Sequence, residues 1–183
     1  MTNVLRPKGP DRDAASKAES PARALPAWRA RPDISVATQR AQAVRGAILE
    51  AAVDLTADLG LDGVTYAALG QRLRYSKSRV LGWFPQRDDL VAAIMTAVAE
   101  DFRAQVTSEV SVMTGETLVR AVTLRYLDWI DRRTPGFSRI AGRARFELAG
   151  RTGPACDQLL AMQDAWIHTL QVGLRQAVEA GVL

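Results

Sequence analysis

Between Gln71 and Arg87 the chain carries five cations, Arg72, Arg74, Lys77, Arg79 and Arg87, and no acidic residue. Such a run suits anions. Guanidinium and ammonium groups neutralise phosphates, and an Arg or Lys presented on a helix can pair with the O6/N7 edge of guanine in the major groove. A solvated helix face would carry the same run, so the apolar residues between the cations must decide.

Little else in the sequence offers chemistry. One cysteine (Cys156) and one histidine (His168) among 183 residues exclude an intrachain disulfide and a Cys/His zinc site. A Ser-His-Asp or Cys-His mechanism would run through His168 alone, with no glycine-framed serine nearby. The Asp88-Asp89 pair lacks the third aspartate of a prenyl-chain metal motif, Ala92 standing there, and no Glu-x-x-His occurs for a di-iron bundle. The expectation is a non-enzymatic protein without metal or cofactor.

The net charge is +4, and residues 1–40 supply all of it, with eight Lys/Arg against four Asp/Glu. Pro7, Pro10, Pro21, Pro26 and Pro32 interrupt that stretch, so residues 1–35 are expected to form a disordered basic arm able to add salt-sensitive phosphate contacts. No apolar run reaches the roughly 20 residues of a membrane span, and the N-terminus lacks the apolar core of a secretory signal. A cytoplasmic protein with a reduced Cys156 and no membrane partner is expected.

From about Val36 the pattern is helical. Val44, Ile48, Ala52, Leu55 and Leu59 form one stripe, and Gly60 stands where a left-handed C-cap would end the helix. Thr65 and Ser76 are N-caps for two short helices, Tyr66–Leu73 and one reaching about Trp83. Asp88 and Asp89 open a longer helix striped by Leu90, Ile94, Val98, Phe102 and Val106. Leu118, Val122, Tyr126 and Trp129 stripe the next, which breaks at Thr134-Pro135-Gly136, and Phe137, Ile140, Ala144 and Leu148 stripe another. From Pro154 a last helix carries Leu159, Met162, Trp166, Leu170, Leu174 and Val178. No alternating β-branched run competes, so the fold class is all-α.

Two short helices between long ones invite a helix-turn-helix test. With Tyr66 as the first of twenty residues, the packing positions hold Leu69, Leu73, Tyr75, Val80 and Trp83, and the point of close helix approach holds Gly70. The turn position that favours left-handed backbone holds Arg74 instead of glycine, at a cost of about 1 kcal/mol. With Val80 and Trp83 inward, the second helix presents Lys77, Ser78, Arg79 and Gly82. Lys77 and Arg79 are the candidate base readers. Thr65, Ser76 and Arg87, at helix N-termini and with Tyr66 counted beside them, are candidates for positioning phosphates, and Arg74 adds charge.

The stretch Arg45–Met95 resembles, without gaps, the DNA-binding domain of TetR-type (AcrR-like) bacterial transcriptional regulators. The resemblance rests on the helix ending in Gly60, Gly63-Val64-Thr65 leading into Leu69-Gly70, then Ser76-Lys77, Phe84-Pro85, Arg87-Asp88 and Leu90. It implies a three-helix DNA-binding domain at 36–95, with its motif at 66–85, and a helical effector-binding and dimerisation domain at 96–183. It further implies a ligand-responsive repressor that binds a palindromic operator in double-stranded DNA as a homodimer. Two positions depart from the family pattern: Leu81 replaces a tyrosine that usually touches the DNA backbone, and Arg74 replaces the turn glycine. A degenerate or truncated helical protein-interaction module without DNA binding is the alternative.

Past Met95 only the architecture is similar. A small apolar effector is implied, with Tyr126, Trp129, Phe137, Phe146, Met162 and Trp166 as candidate pocket residues, core packing being the other reading of that helical spacing. Family members usually have one more helix after a segment like Glu179-Ala180-Gly181, so a final helix is expected to be lacking. The dimer interface then falls to Leu159, Trp166, Leu170, Leu174 and Val178, a stripe that a monomer would leave largely exposed.

Overall fold

A computed structural model describes residues 36–132 and 136–182; the arm expected at 1–35 and the Thr134-Pro135 break lie outside them. Among the described residues the chain is helical, without strands. Helix α1 (Val36–Leu59) ends as expected at Gly60, whose φ of +80° takes the chain out of the helix while its N–H still reaches the Thr56 carbonyl at 2.8 Å. Leu61 and Val64 then turn inward, and two short helices follow, α2 (Tyr66–Leu73) and α3 (Lys77–Trp83). Their starts are set locally, Thr65 Oγ1 accepting from Ala68 N–H at 3.1 Å and Ser76 Oγ from Arg79 N–H at 3.2 Å.

Helix α4 (Arg87–Phe102) runs on through a π turn at 103–107 and a 3-10 turn at 108–110. Residues four apart advance about 40° around an α-helix at every step, so a stripe built on fours slides sideways. The wider π turn can take up such drift only from residue 103 onward. Leu90, Ile94, Val98 and Phe102, which precede the π turn, are at most 3% exposed, and Val106 within it is buried too.

Helices α5 (Gly115–Asp131), α6 (Phe137–Glu147) and α7 (Pro154–Glu179) complete the fold. No wide turn rescues the fours of α7. Leu159 and Met162 are buried and Trp166 and Leu170 half-buried, but Leu174 and Val178 are 44% and 59% exposed. Gly173 and Ala177 face the core in their place, and a Cβ on Gly173 would come within 2.8 Å of the Val119 side chain, so this glycine lets α7 cross α5 closely. Leu59, the last residue of α1, is 54% exposed, while Thr56 and Ala57 before it are buried, with Thr56 Oγ1 donating to the Ala52 carbonyl at 2.7 Å.

Helix α4 is the shared element, packing against α1, α6 and α7, while α5 lies along α7. Helices α2 and α3 pack on each other, and α2 also on α1. Helix α6 grips the end of α1: Glu147 Oε2 accepts from Leu61 N–H at 2.8 Å, and Arg143 donates to the Asp58 carbonyl at 3.2 Å. Among the described residues no helix is long and apolar enough to cross a membrane.

Candidate nucleic-acid interface

The α2–α3 unit owes its shape to two residues four positions apart, Gly70 and Arg74. A Cβ on Gly70 would lie 2.7 Å from the Tyr75 carbonyl oxygen, so only glycine lets the backbone leaving the turn pass over α2. Arg74 is left-handed, φ +55° and ψ +39°, and is the only non-glycine residue with positive φ among those described. Tyr75 N–H closes the turn on the Gly70 carbonyl at 2.9 Å. Val80 is buried, and Leu73, Tyr75 and Trp83 pack half-buried against the core. The turn therefore adopts the strained geometry without the residue that suits it. Arg74→Gly should stabilise the fold by about 0.5–1 kcal/mol, the relief of the left-handed strain being partly offset by the greater freedom of glycine in the unfolded chain. Chemical denaturation reads this directly.

Opposite Val80, α3 presents Lys77, Ser78, Arg79 and Gly82, all exposed. Arg79 holds its guanidinium 4.0 Å from the centroid of the Tyr75 ring, a cation–π contact that limits its search without consuming it in an ion pair. A Cβ on Gly82 would meet nothing within 4 Å, so the fold does not demand glycine there and α3 offers bare backbone to a partner. Ser76 and Ser78 hydroxyls lie 3.0 Å apart beside the capping bond.

The five cations of the acid-free window divide into two groups. Arg74, Lys77 and Arg79 are exposed and have no carboxylate partner among the described residues. Arg72 is paired with Asp54 at 2.9 Å. Arg87, expected to position phosphate, is committed inside the protein: it donates to the Leu61 carbonyl at 2.8 Å and the Val64 carbonyl at 3.0 Å and reaches Asp62 at 3.2 Å. Its work is to bind the start of α4 to the α1–α2 turn.

Tyr66 also departs from expectation, because its hydroxyl is buried without a partner and cannot face a phosphate. Burial pushes the phenol pKa up; Arg87 opposes the shift, and Asp89 and Asp88 add to it. Removing an orphaned hydroxyl relieves a desolvation cost, so Tyr66→Phe should add about 1 kcal/mol of stability. The wild-type chain should lose stability as pH rises past about 10, where the unfolded tyrosine ionises and the buried one still holds its proton; the variant should lack that contribution. Denaturation at neutral and alkaline pH distinguishes the two.

Arg45 escaped the sequence reading. Its guanidinium sits 5.0 Å from the centroid of Phe84, the buried C-cap of α3, which brings an exposed α1 cation to the C-terminal end of α3. Phe84 beside Pro85 was visible in the sequence; its partner 39 positions earlier was not.

In the C-terminal half, Tyr126, Trp129 and Trp166 meet Phe102 in one aromatic cluster, with Tyr126 and Trp166 stacked at 4.5 Å and Phe102 edge-on to Trp129 at 5.1 Å. Trp129 Nε1 donates to Asp101 at 2.8 Å, whereas Trp166 Nε1 is buried without an acceptor. Phe137 and Met162 are buried, but Phe146 is 83% exposed on the outer side of α6 and does not join them. Of the residues expected at a dimer interface, Leu159 is covered by the chain's own helices and Trp166 and Leu170 pack against the core, because the stripe drifts as it climbs α7. The apolar residues left exposed on one side of α7 are Leu160, Ile167, Leu174 and Val178.

No family model matches the chain, and no curated protein matches it.

Proposed function

We propose that the chain is a TetR-type, sequence-specific DNA-binding transcriptional regulator, a ligand-responsive repressor in which α3 enters the major groove and a homodimer spans a palindromic operator. The observation that carries this reading is the α2–α3 unit. Glycine at the crossing and a left-handed turn set the second helix, and the face it turns away from Val80 bears Lys77 and Arg79 with no carboxylate partner among the described residues. Lys77 and Arg79 read bases; Arg45, Arg74, Thr65 and Ser76 lie around them to hold phosphates. Selection from random duplexes should return an inverted repeat with half-sites about 34 Å apart or a multiple of it. Failure to enrich any inverted repeat at low salt would remove the proposal.

A single helix-turn-helix covers only a half-site, and α7 offers the means of pairing. Leu160, Ile167 and Leu174 recur every seven residues, the spacing of a helix–helix seam, and are 56%, 45% and 44% exposed. Ile167→Glu should place a charge in each subunit at that seam and raise the dimer dissociation constant by at least about tenfold. Helix α5 carries its own exposed set, Leu124, Leu127 and Ile130. Sedimentation of Ile167→Glu beside Leu127→Glu therefore tests the assignment: dissociation by the second and not the first would move the interface to α5.

The effector is placed at the aromatic cluster of Tyr126, Trp129 and Trp166. A ligand entering between those rings would offer an acceptor to Trp166 Nε1, which has none. The rival reading, an interaction module without DNA binding, draws on Leu81 and Gly82, which leave the end of α3 without a phenol or other polar side chain.

A further inference from the structure

A concavity lies between the C-terminal end of α6 and the first turns of α7, and none of the residues of the aromatic cluster lines it. It is an open cleft of about 260 Å³. Leu148, Leu159, Leu160 and Cys156 give it apolar walls, and Arg145 and Arg151 stand in its lining, which contains no acidic residue. Cys156 Sγ is turned toward the Leu148 carbonyl at 3.9 Å, so the sulfur lies at the wall and not in solvent.

The two guanidiniums are poorly matched within the protein. Arg145 has no partner among the described residues. Arg151 reaches only Asp62, at 3.9 Å, and the two side chains are 56% and 71% exposed, so that pair is weak and readily exchanged. Asp62 does not depend on it, since Arg87 approaches the same carboxylate oxygen at 3.2 Å. Two arginines beside an apolar wall, one free and one held loosely by a carboxylate, specify the complement: a single carboxylate on an apolar body. At the roughly 30 Å³ of a water-sized group, the cleft has room for about nine such groups.

We propose that this cleft binds a small amphiphilic carboxylate, its head taken by Arg145 and Arg151 and its chain lying against Leu148 and Leu159. The ligand head then replaces Asp62 on Arg151. Carboxylate is favoured because Arg151 already meets one and because the guanidinium fork matches its two oxygens. The site needs no DNA, so its test stands whether or not α3 reads a duplex.

The test is equilibrium dialysis of the full chain with sodium octanoate, beside 1-octanol and octylammonium as probes of the same length. One octanoate should bind per chain, with octanol at least about tenfold weaker, the cost of losing a charge-assisted contact, and octylammonium weaker still. Arg145→Gln and Arg151→Gln should each weaken octanoate without changing octanol. Asp62→Asn should tighten octanoate by releasing Arg151. Bound octanoate should also slow alkylation of Cys156, the only cysteine in the chain. Equal binding of octanol, indifference to both arginine substitutions, weakening by Asp62→Asn, or no octanoate uptake would each overturn the proposal.

Discussion

Alanine at both Lys77 and Arg79 is expected to abolish preference for the selected operator while leaving the fold intact. Neither side chain is buried and neither holds another residue by an ion pair, so denaturation midpoints should scarcely move. A good bidentate contact to a base is worth about 1–3 kcal/mol, and a dimer makes each contact twice. Losing about 2 kcal/mol per subunit lowers operator affinity roughly a thousandfold. Binding to unrelated duplexes should fall far less, because Arg45 and Arg74 remain to meet phosphates. Arg79→Ala alone should relax preference at one base position in each half-site. Competition assays with operator and scrambled duplexes measure all three outcomes, and a double variant that keeps its preference would move the reading residues elsewhere.

Arg87→Ala should behave in the opposite way. The guanidinium serves the Leu61 and Val64 carbonyls, and its loss strips both of that donor where the α1–α2 turn meets α4. The Leu61 carbonyl keeps the Val64 N–H at 3.3 Å, but leaving the Val64 carbonyl unpaired costs about 1–3 kcal/mol. Arg87 keeps 40% of its side chain exposed, so water recovers part of this, and a net loss of about 2 kcal/mol is expected. Asp62→Asn should cost much less, since its pair with Arg87 is exposed and screened. Urea denaturation reads the difference. Unchanged stability in Arg87→Ala, with a flatter salt dependence of DNA binding, would restore Arg87 to the phosphate contacts.

Local chemistry made the α2–α3 unit legible in the sequence. Thr65 and Ser76 cap helices three residues ahead, Gly70 and Arg74 lie within the motif they shape, and the structure begins and ends both helices where those residues direct. Longer stripes were readable only at their starts, because spacing by fours drifts on an α-helix. On α4 the stripe nevertheless stays buried from Leu90 to Val106, only the last of these lying in the π turn, whereas on α7 Leu159 is buried and Val178 is not. Nothing in sequence spacing announces which of these will happen.

Long-range partners were hidden for a different reason. Arg87 looks like any first-turn cation until the Leu61 and Val64 carbonyls, more than twenty positions earlier, come within 3.0 Å. The grip of Glu147 on Leu61 N–H spans 86 positions and depends on how α6 meets α1. Both contacts satisfy backbone groups left open by the turn after α1, a need that the sequence shows without naming who meets it.

The most direct measurement is the affinity of the chain for a random-sequence duplex as salt is raised from about 50 to 200 mM, the range over which phosphate contacts dominate. Arg45 and Arg74, each on two subunits, should release counterions so that log K falls linearly against log salt with a slope near about −4. Arg74→Gly should bring the slope to about −2 while the fold becomes more stable. An undetectable interaction at the lowest salt, or an affinity indifferent to salt and to Arg74, would contradict DNA binding through α3 and leave the interaction-module reading in its place.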